Sequence, residues 1–252
     1  LFSLSFLYLS FKPMAEKFFQ NHFQRFETKY IISKETLLDL LLEFEGYLVE
    51  DERAYLTINN LYYDTPSYQL IRESLENPHF DEKVRLRTYQ EHPAEDSQVF
   101  LEIKKKTENL VTKRRLAADL LTAEAYLDGD YSQLTVITVQ IDTEMVWLTQ
   151  HFGNIQPMMY IGYNRYSMKG IEDERIRITF DHDLTYRPYD LSLLTGRHGD
   201  HLLPANHVIM EVKIPETCPL WLSEIMNRYQ LSPSSFSKYG FAYKKANYIR
   251  SK

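Results

Sequence analysis

The 252-residue sequence predicts an α+β protein built on a closed antiparallel β-barrel, a tunnel of about eight strands with a polar, basic lumen and helices packed outside. Three observations lead there. Strand signals outnumber helix signals along the chain. Within the strands, charged and apolar residues alternate with a period of two. The charges on those faces are mostly cationic, although the chain as a whole carries a net charge of −6.

The strands come in order. Residues 25–32 (RFETKYII), 55–63 (YLTINNLYY), 83–89 (KVRLRTY) and 99–106 (VFLEIKKK) are rich in β-branched and aromatic residues and alternate. Residues 112–116, 160–168, 175–181 (RIRITFD) and 208–214 (VIMEVKI) read the same way. Helices fall between and after them. Ser33 suits the N-cap of a helix over 34–44, with Glu35 in its first turn and leucines on one face. A short helix is expected over 123–127, after Thr122. Residues 136–152 set Ile137, Ile141, Met145, Leu148 and Phe152 at three-to-four spacing, a stripe that suits a core better than a cofactor box. Residues 221–231, after Pro219, and 236–249 supply two more helices.

No repeat, low-complexity tract or proline-glycine linker divides the chain, so residues 21–252 read as one domain behind an extension over 1–20. The apolar run 1–11 (LFSLSFLYLSF) is too short to span a bilayer, which takes about 20 residues, and lacks a basic leader. It reads either as sequence upstream of a natural start at Met14 or as a short packing arm. Composition excludes several classes. One cysteine, Cys218, rules out a disulfide framework or a cysteine-rich zinc site and fits a cytoplasmic setting. Eight glycines and no GxxxxGK[ST], GxGxxG or HExxH leave no phosphate loop and no zincin motif. His198 and His201, in GRHGDH, read as a turn rather than a ligand pair. A pI near 5.8 argues against a nucleic-acid coat protein.

Alternation carries the chemistry. Residues two apart in a strand share a face, which groups Arg25, Glu27 and Lys29; Lys83, Arg85 and Arg87; Glu102, Lys104 and Lys106; Lys113 and Arg115. It also groups Arg175, Arg177, Thr179 and Asp181, then Glu211 and Lys213, with Arg165 in the remaining strand. These faces hold 13 Lys/Arg against four Asp/Glu. An ordinary solvated face mixes signs, because like charges opposite one another destabilise a sheet. Cations gathered out of bulk water call for a compensating anion, so a polyanion-binding tunnel or cleft is expected. Glu27, Glu102, Asp181 and Glu211 could hold a hard divalent ion there. Alternatively each neutralises a neighbouring cation, a reading that suits Glu102 and Asp181 somewhat better.

Nine segments sharpen this. RFETKY (25–30), LYYDTP (61–66), KVRLRTY (83–89), FLEIKKK (100–106), VTKRR (111–115), YNRY (163–166), RITFD (177–181), EVK (211–213) and SFSKYG (235–240) stand in the order seen in the VTC (vacuolar transporter chaperone) domain. The chain resembles that family over roughly 25–239, and with it the triphosphate tunnel metalloenzymes of the CYTH-like superfamily. The resemblance implies an enzyme, an ATP-dependent polyphosphate polymerase that moves the γ-phosphate of ATP onto a polyphosphate chain and releases ADP. It implies catalytic lumen positions at Lys29, Lys83, Arg85, Arg87, Lys104, Lys113, Arg115, Arg165 and Arg177. Phosphate contacts at Lys213, Ser237 and Lys238 and a Mn²⁺ or Mg²⁺ ion on Glu211 and Glu27 are also implied. The partners expected are ATP and inorganic polyphosphate, without nucleic acid or a membrane span. A triphosphatase of the same fold and a non-catalytic polyphosphate-binding module are the alternatives. CYTH hydrolases carry ExExK on the first strand; here Arg25 replaces the first Glu, which favours holding an anionic acceptor over activating water.

Overall fold

The computed structural model describes residues 25–77, 79–107, 110–130 and 139–250. The apolar run at the N-terminus lies outside them. In chain order the elements are β1 (Arg25–Ser33), α1 (Lys34–Glu43), β2 (Leu48–Asp64), α2 (Gln69–Glu76), β3 (Phe80–Thr88), β4 (Gln98–Thr107) and β5 (Leu110–Asp119). Then follow α3 (Leu120–Leu127), α4 (Val139–Phe152), β6 (Gln156–Gly170), β7 (Arg177–Arg187), β8 (Asp200–His201), β9 (His207–Pro215), α5 (Leu220–Arg228) and α6 (Lys238–Arg250).

All eight expected strands form, and β8 is a ninth, too short to leave a periodic signal. They make one antiparallel sheet in the order β1-β9-β7-β6-β2-β3-β4-β5, with β8 beside β7. The predicted closure does not occur. β1 and β5 are the two edges, and no ladder joins them among the described residues. Closing a barrel needs the last strand to reach the first with matched tilt and stagger. Here the segment before α6 lies on the edge of β1 instead: Ser234 donates its backbone N–H to the Lys29 carbonyl at 2.7 Å. The architecture is therefore an open, nine-stranded α+β sheet rather than a sealed tunnel.

Local chemistry starts the helices. The Ser33 hydroxyl accepts the Thr36 N–H at 3.0 Å, capping α1 as expected. Asp119 caps α3 through the Thr122 N–H at 2.8 Å, so that helix begins earlier than Thr122 suggested. α2, absent from the sequence reading, is held by buried Asp64, which accepts the N–H groups of Leu70 at 2.9 Å and Ile71 at 3.1 Å. The same carboxylate accepts the Tyr239 hydroxyl at 2.8 Å, tying α6 to the end of β2.

Apolar residues on the outer face form two cores. Leu61, Val84, Leu86, Leu101 and Ile103 pack with Leu120, Ile141, Met145 and Leu148 of α3 and α4. Ile178, Phe180, Met210 and Val212 pack with Leu40 of α1 and Leu222 and Ile225 of α5. Each fully buried leucine contributes about 1.5–3 kcal/mol. A third core, around Ile58, Tyr62, Ile161 and Tyr163, is covered by Phe236, Tyr239 and Ala242, so the α6 region lies across one end of the opposite face.

Candidate functional site

Residues directly opposite across an antiparallel ladder point to the same side of the sheet. The ladders of β3, β4 and β5 therefore set two rows abreast, Arg85–Glu102–Arg115 and Lys83–Lys104–Lys113. Arg165 of β6 faces Asp181 of β7. Glu211 of β9 faces Thr179 on one side and Lys29 of β1 on the other, while Lys213 faces Arg177 and Glu27. Val84, Ile103 and Ile178, one position out of phase, lie in the outer cores.

Three buried carboxylates organise these cations. Glu102, 2% exposed, accepts Arg85 Nε and Nη2 at 2.9 and 2.7 Å on one oxygen. Its other oxygen takes Lys113 Nζ at 2.9 Å and Arg115 Nε at 2.8 Å, while Arg87 Nη1 stands 3.8 Å from the oxygen that Arg85 holds. Asp181 receives a two-pronged grip from Arg165, at 2.6 and 2.8 Å, and Lys238 Nζ of α6 at 2.5 Å. Glu211 contacts Lys213 directly and has Lys29 at 4.0 Å. Burial alone would raise all three carboxyls. The cations outweigh it: Arg85, Arg87 and Lys113 hold Glu102 well below the usual carboxylate range, and Lys238 and Arg165 do the same for Asp181. Lys213, Lys238, Arg165 and Lys29 bring Glu211 down to about 2.

Some expected residues are less central. Lys83 pairs with Asp81, and burial lowers its ammonium despite that partner. Arg177 is half exposed, 3.4 Å from Asp51. Ser237 accepts the Gly240 N–H at 3.3 Å at the start of α6, directly before Lys238. Arg175 departs from its expected row: it precedes β7 and forks onto Asp173 at 2.9 Å in the preceding turn. His198 lies in the loop before β8, 3.1 Å from Asp190, whereas His201 is not in a turn but in β8 itself, opposite Thr185.

Tyr163 was missed and lies at the centre. It is 2% exposed, and its hydroxyl accepts Arg87 Nη2 at 3.3 Å. Its ring faces Lys238 Nζ at 4.7 Å and the Arg165 guanidinium at 5.6 Å, so it joins the Glu102 cations to the Asp181 cations. Asn60 and Tyr62 of β2 were missed too; they accept Arg87 Nε at 2.8 Å and Arg85 Nη1 at 2.9 Å. The signal was present, because Tyr163 stands two before Arg165, but an aromatic reads as core.

The profile of the VTC domain matches residues 24–247. The chain belongs to the VTC domain family. No curated protein matches its sequence. Among solved structures, a Bacillus halodurans protein described provisionally as an adenylate cyclase superposes with a TM-score of 0.52 at 14% identity, over 84% of this chain and 92% of its own. A Vibrio parahaemolyticus protein of the same provisional description gives 0.46 at 12% identity, over 86% and 96%. A Pyrococcus horikoshii protein gives 0.43 at 11%, over 88% and 99%. The first of these likenesses speaks to fold alone.

For this VTC domain, a metal would have to be held by few protein ligands. Among the described residues no three His, Cys, Asp or Glu side chains gather into a cage. Glu27 and Glu211 lie diagonally across the β1–β9 ladder, close enough for the Glu211 charge to oppose ionisation of Glu27. Two carboxylates suit a hard divalent ion that takes its other ligands from water and phosphate oxygens. Among the described residues no helix is long and apolar enough to cross a membrane.

Proposed function

We propose that this VTC domain is a polyphosphate polymerase, transferring the γ-phosphate of ATP to the end of a polyphosphate chain with release of ADP. The observation that carries the reading is the row Lys83–Lys104–Lys113 beside the row Arg85–Glu102–Arg115. Three lysines abreast repel one another; Asp81 pairs with Lys83, and Glu102, which Lys113 reaches, is shared with Arg85 and Arg115, so two carboxylates face five cations of the two rows. An extended polyanion supplies what the row lacks.

The reaction asks little of a general base, since the attacking terminal oxygen is already ionised. An oxygen at the chain end forms a bond to the γ-phosphorus, the bond to the bridging oxygen of ADP breaks, and the electron pair leaves with ADP. The barrier is chiefly repulsion between two polyanions and their alignment in line. Arg85, Arg87 and Arg165 offer planar forks for phosphoryl oxygens, while Lys29, Lys104, Lys113 and Lys213 offer looser contacts along which a product can shift. Tyr163 orients Arg87 by accepting its Nη2–H. Glu211 and Glu27 would hold Mn²⁺ or Mg²⁺, which when bound neutralises nucleotide phosphate charge.

The test is incubation of pure protein with ATP and Mn²⁺, followed by gel detection of polyphosphate and assay of ADP. Polyphosphate growing in step with ADP is expected. Orthophosphate released from tripolyphosphate without chain growth would assign a triphosphatase instead, and binding without turnover would assign a binding module.

A further inference from the structure

Glu102 is an odd residue to bury in a polyanion site. It lies in the middle of a row, flanked by Arg85 and Arg115, and repels the ligand that those cations attract. Both of its oxygens are saturated: Arg85 holds one through two donors, and Lys113 and Arg115 share the other. Phosphoryl oxygens present the same charge to the same donors. At 2% exposure the carboxylate has almost no water to turn to.

We propose that Glu102 is a built-in counter-anion, which holds Arg85, Lys113 and Arg115 in their phosphate-binding arrangement before a polyanion arrives and then competes with it for their donors. It is a positioning residue, and the inference rests on reading this face as a polyanion site. Before binding, the carboxylate compensates cations that would otherwise repel one another and scatter. After binding, each cation is shared between Glu102 and a phosphate, so no phosphate is held by its full complement of donors. A chain held in this way can move by one unit without breaking a saturated contact. Charge removal and loss of order then act on different quantities: affinity rises when Glu102 is neutralised, while turnover falls.

The experiment is calorimetric binding of tripolyphosphate, without nucleotide or metal, to the wild-type protein and to Glu102→Gln, with ADP release measured in parallel. Glu102→Gln is expected to bind at least about tenfold more tightly, since a like charge within a few ångströms of the ligand is removed. It should turn over at least about tenfold more slowly, and tripolyphosphate should raise its Tm by more than it raises that of the wild type. Glu102→Asp, which keeps the charge but withdraws it by one methylene, covers the case in which the Gln variant does not fold. It should bind about threefold more tightly while losing turnover. Unchanged or weaker binding in the folded variants would overturn the role given to Glu102 and leave the polyanion site standing. A wild-type protein that does not bind tripolyphosphate would remove the site itself.

Discussion

Two glutamates on neighbouring strands meet the same burial with opposite results. Glu82 of β3 is 1% exposed and points to the outer face, towards α2 and α4; Glu102 of β4 is 2% exposed and points to the opposite, cationic face. Burial pushes the Glu82 carboxyl up to about 7, because Lys105 at 3.6 Å is its nearest cation and Glu144 and Glu73 oppose ionisation. Arg85, Arg87 and Lys113 around Glu102 reverse the same burial penalty. The outer face thus treats charge as something to be tolerated: Lys105 sits 3.3 Å over the Trp147 ring, and one oxygen of Glu82 has no hydrogen-bond partner. The cationic face is organised around charge. One sheet separates a packing surface from an ionic one by nothing more than the two-residue period.

The largest expected effect contrasts an arginine from each face. Arg87 is buried and donates to Asn60 and Tyr163, so its guanidinium is fixed before any ligand binds. Removing one charge-assisted contact to a transferring phosphoryl group costs about 3 kcal/mol, or ~100-fold in rate. Arg87→Ala should therefore nearly abolish ADP release in the presence of polyphosphate. Arg114, on the outer face 3.3 Å from Glu144, should when changed to Ala lower Tm and leave the rate per folded molecule unaltered. Steady-state ADP release with parallel melting decides this, and comparable rate losses in both would erase the distinction between the faces.

Glu211→Gln comes next. Glu211 is buried, but Lys29 and Lys213 each retain contact with solvent and can rehydrate when the carboxylate is lost. The expected stability cost is therefore about 1 kcal/mol, whereas turnover should fall by ~10-fold or more with a raised requirement for Mn²⁺. Titration of activity against Mn²⁺ checks it. Full activity at every Mn²⁺ concentration would make Glu211 a charge partner of Lys213 and nothing more.

The separation of faces was legible in the sequence because it is local. Lys83, Arg85 and Arg87 alternate with Val84 and Leu86, and no other element is needed to see it. Closure was not legible, because it depends on whether β5 reaches β1, and a segment some 200 residues further on took that edge. α2 was missed for a related reason: its capping carboxylate, Asp64, belongs to the preceding strand, and its first turn follows Tyr68 in a left-handed conformation at φ 59°. The partners of Glu102 depend on cross-strand register, which alternation does not fix. Glu82 gave no signal either, since the residues around it, Glu73 and Ser74 of α2 and Glu144 of α4, come from other elements.

Stability against pH separates the two glutamates by sign. Glu82 titrates near 4.5 when unfolded and about 7 when folded, so between those values the folded state binds more protons. Stability is then lost as pH rises through this window, by about 3 kcal/mol in all. Glu102 runs the other way, contributing stability above its unfolded value that is lost as the medium is acidified. Glu82→Gln should raise stability by ~2 kcal/mol at pH 8 and by nothing at pH 4, whereas Glu102→Gln should lower it at pH 8. Urea melts at the two pH values measure both. A Glu82→Gln variant no more stable than wild type at pH 8 would mean that Lys105 compensates the ionised carboxylate after all.

The smallest effect is expected from Lys106, and it limits how far the cationic face acts as a single unit. Lys106 stands near the end of β4, opposite Asp81 and Val111, two positions beyond Lys104 on the same face. On the polyphosphate reading, a cation near the end of the strand would meet only the distal part of a bound chain, where several lysines would share one task. Its loss should raise the KM for polyphosphate by about two- to threefold, which is well under 1 kcal/mol, and should leave kcat unchanged. It should also weaken the dependence of binding on salt, because one fewer cation is screened. KM measured at two ionic strengths for Lys106→Ala and wild type tests this. If Lys106→Ala and Arg87→Ala gave equal, mild losses, position on the face would not matter. The face would then attract polyanions through its summed charge, without the fixed contacts at Arg87, Asn60 and Tyr163 that phosphoryl transfer requires.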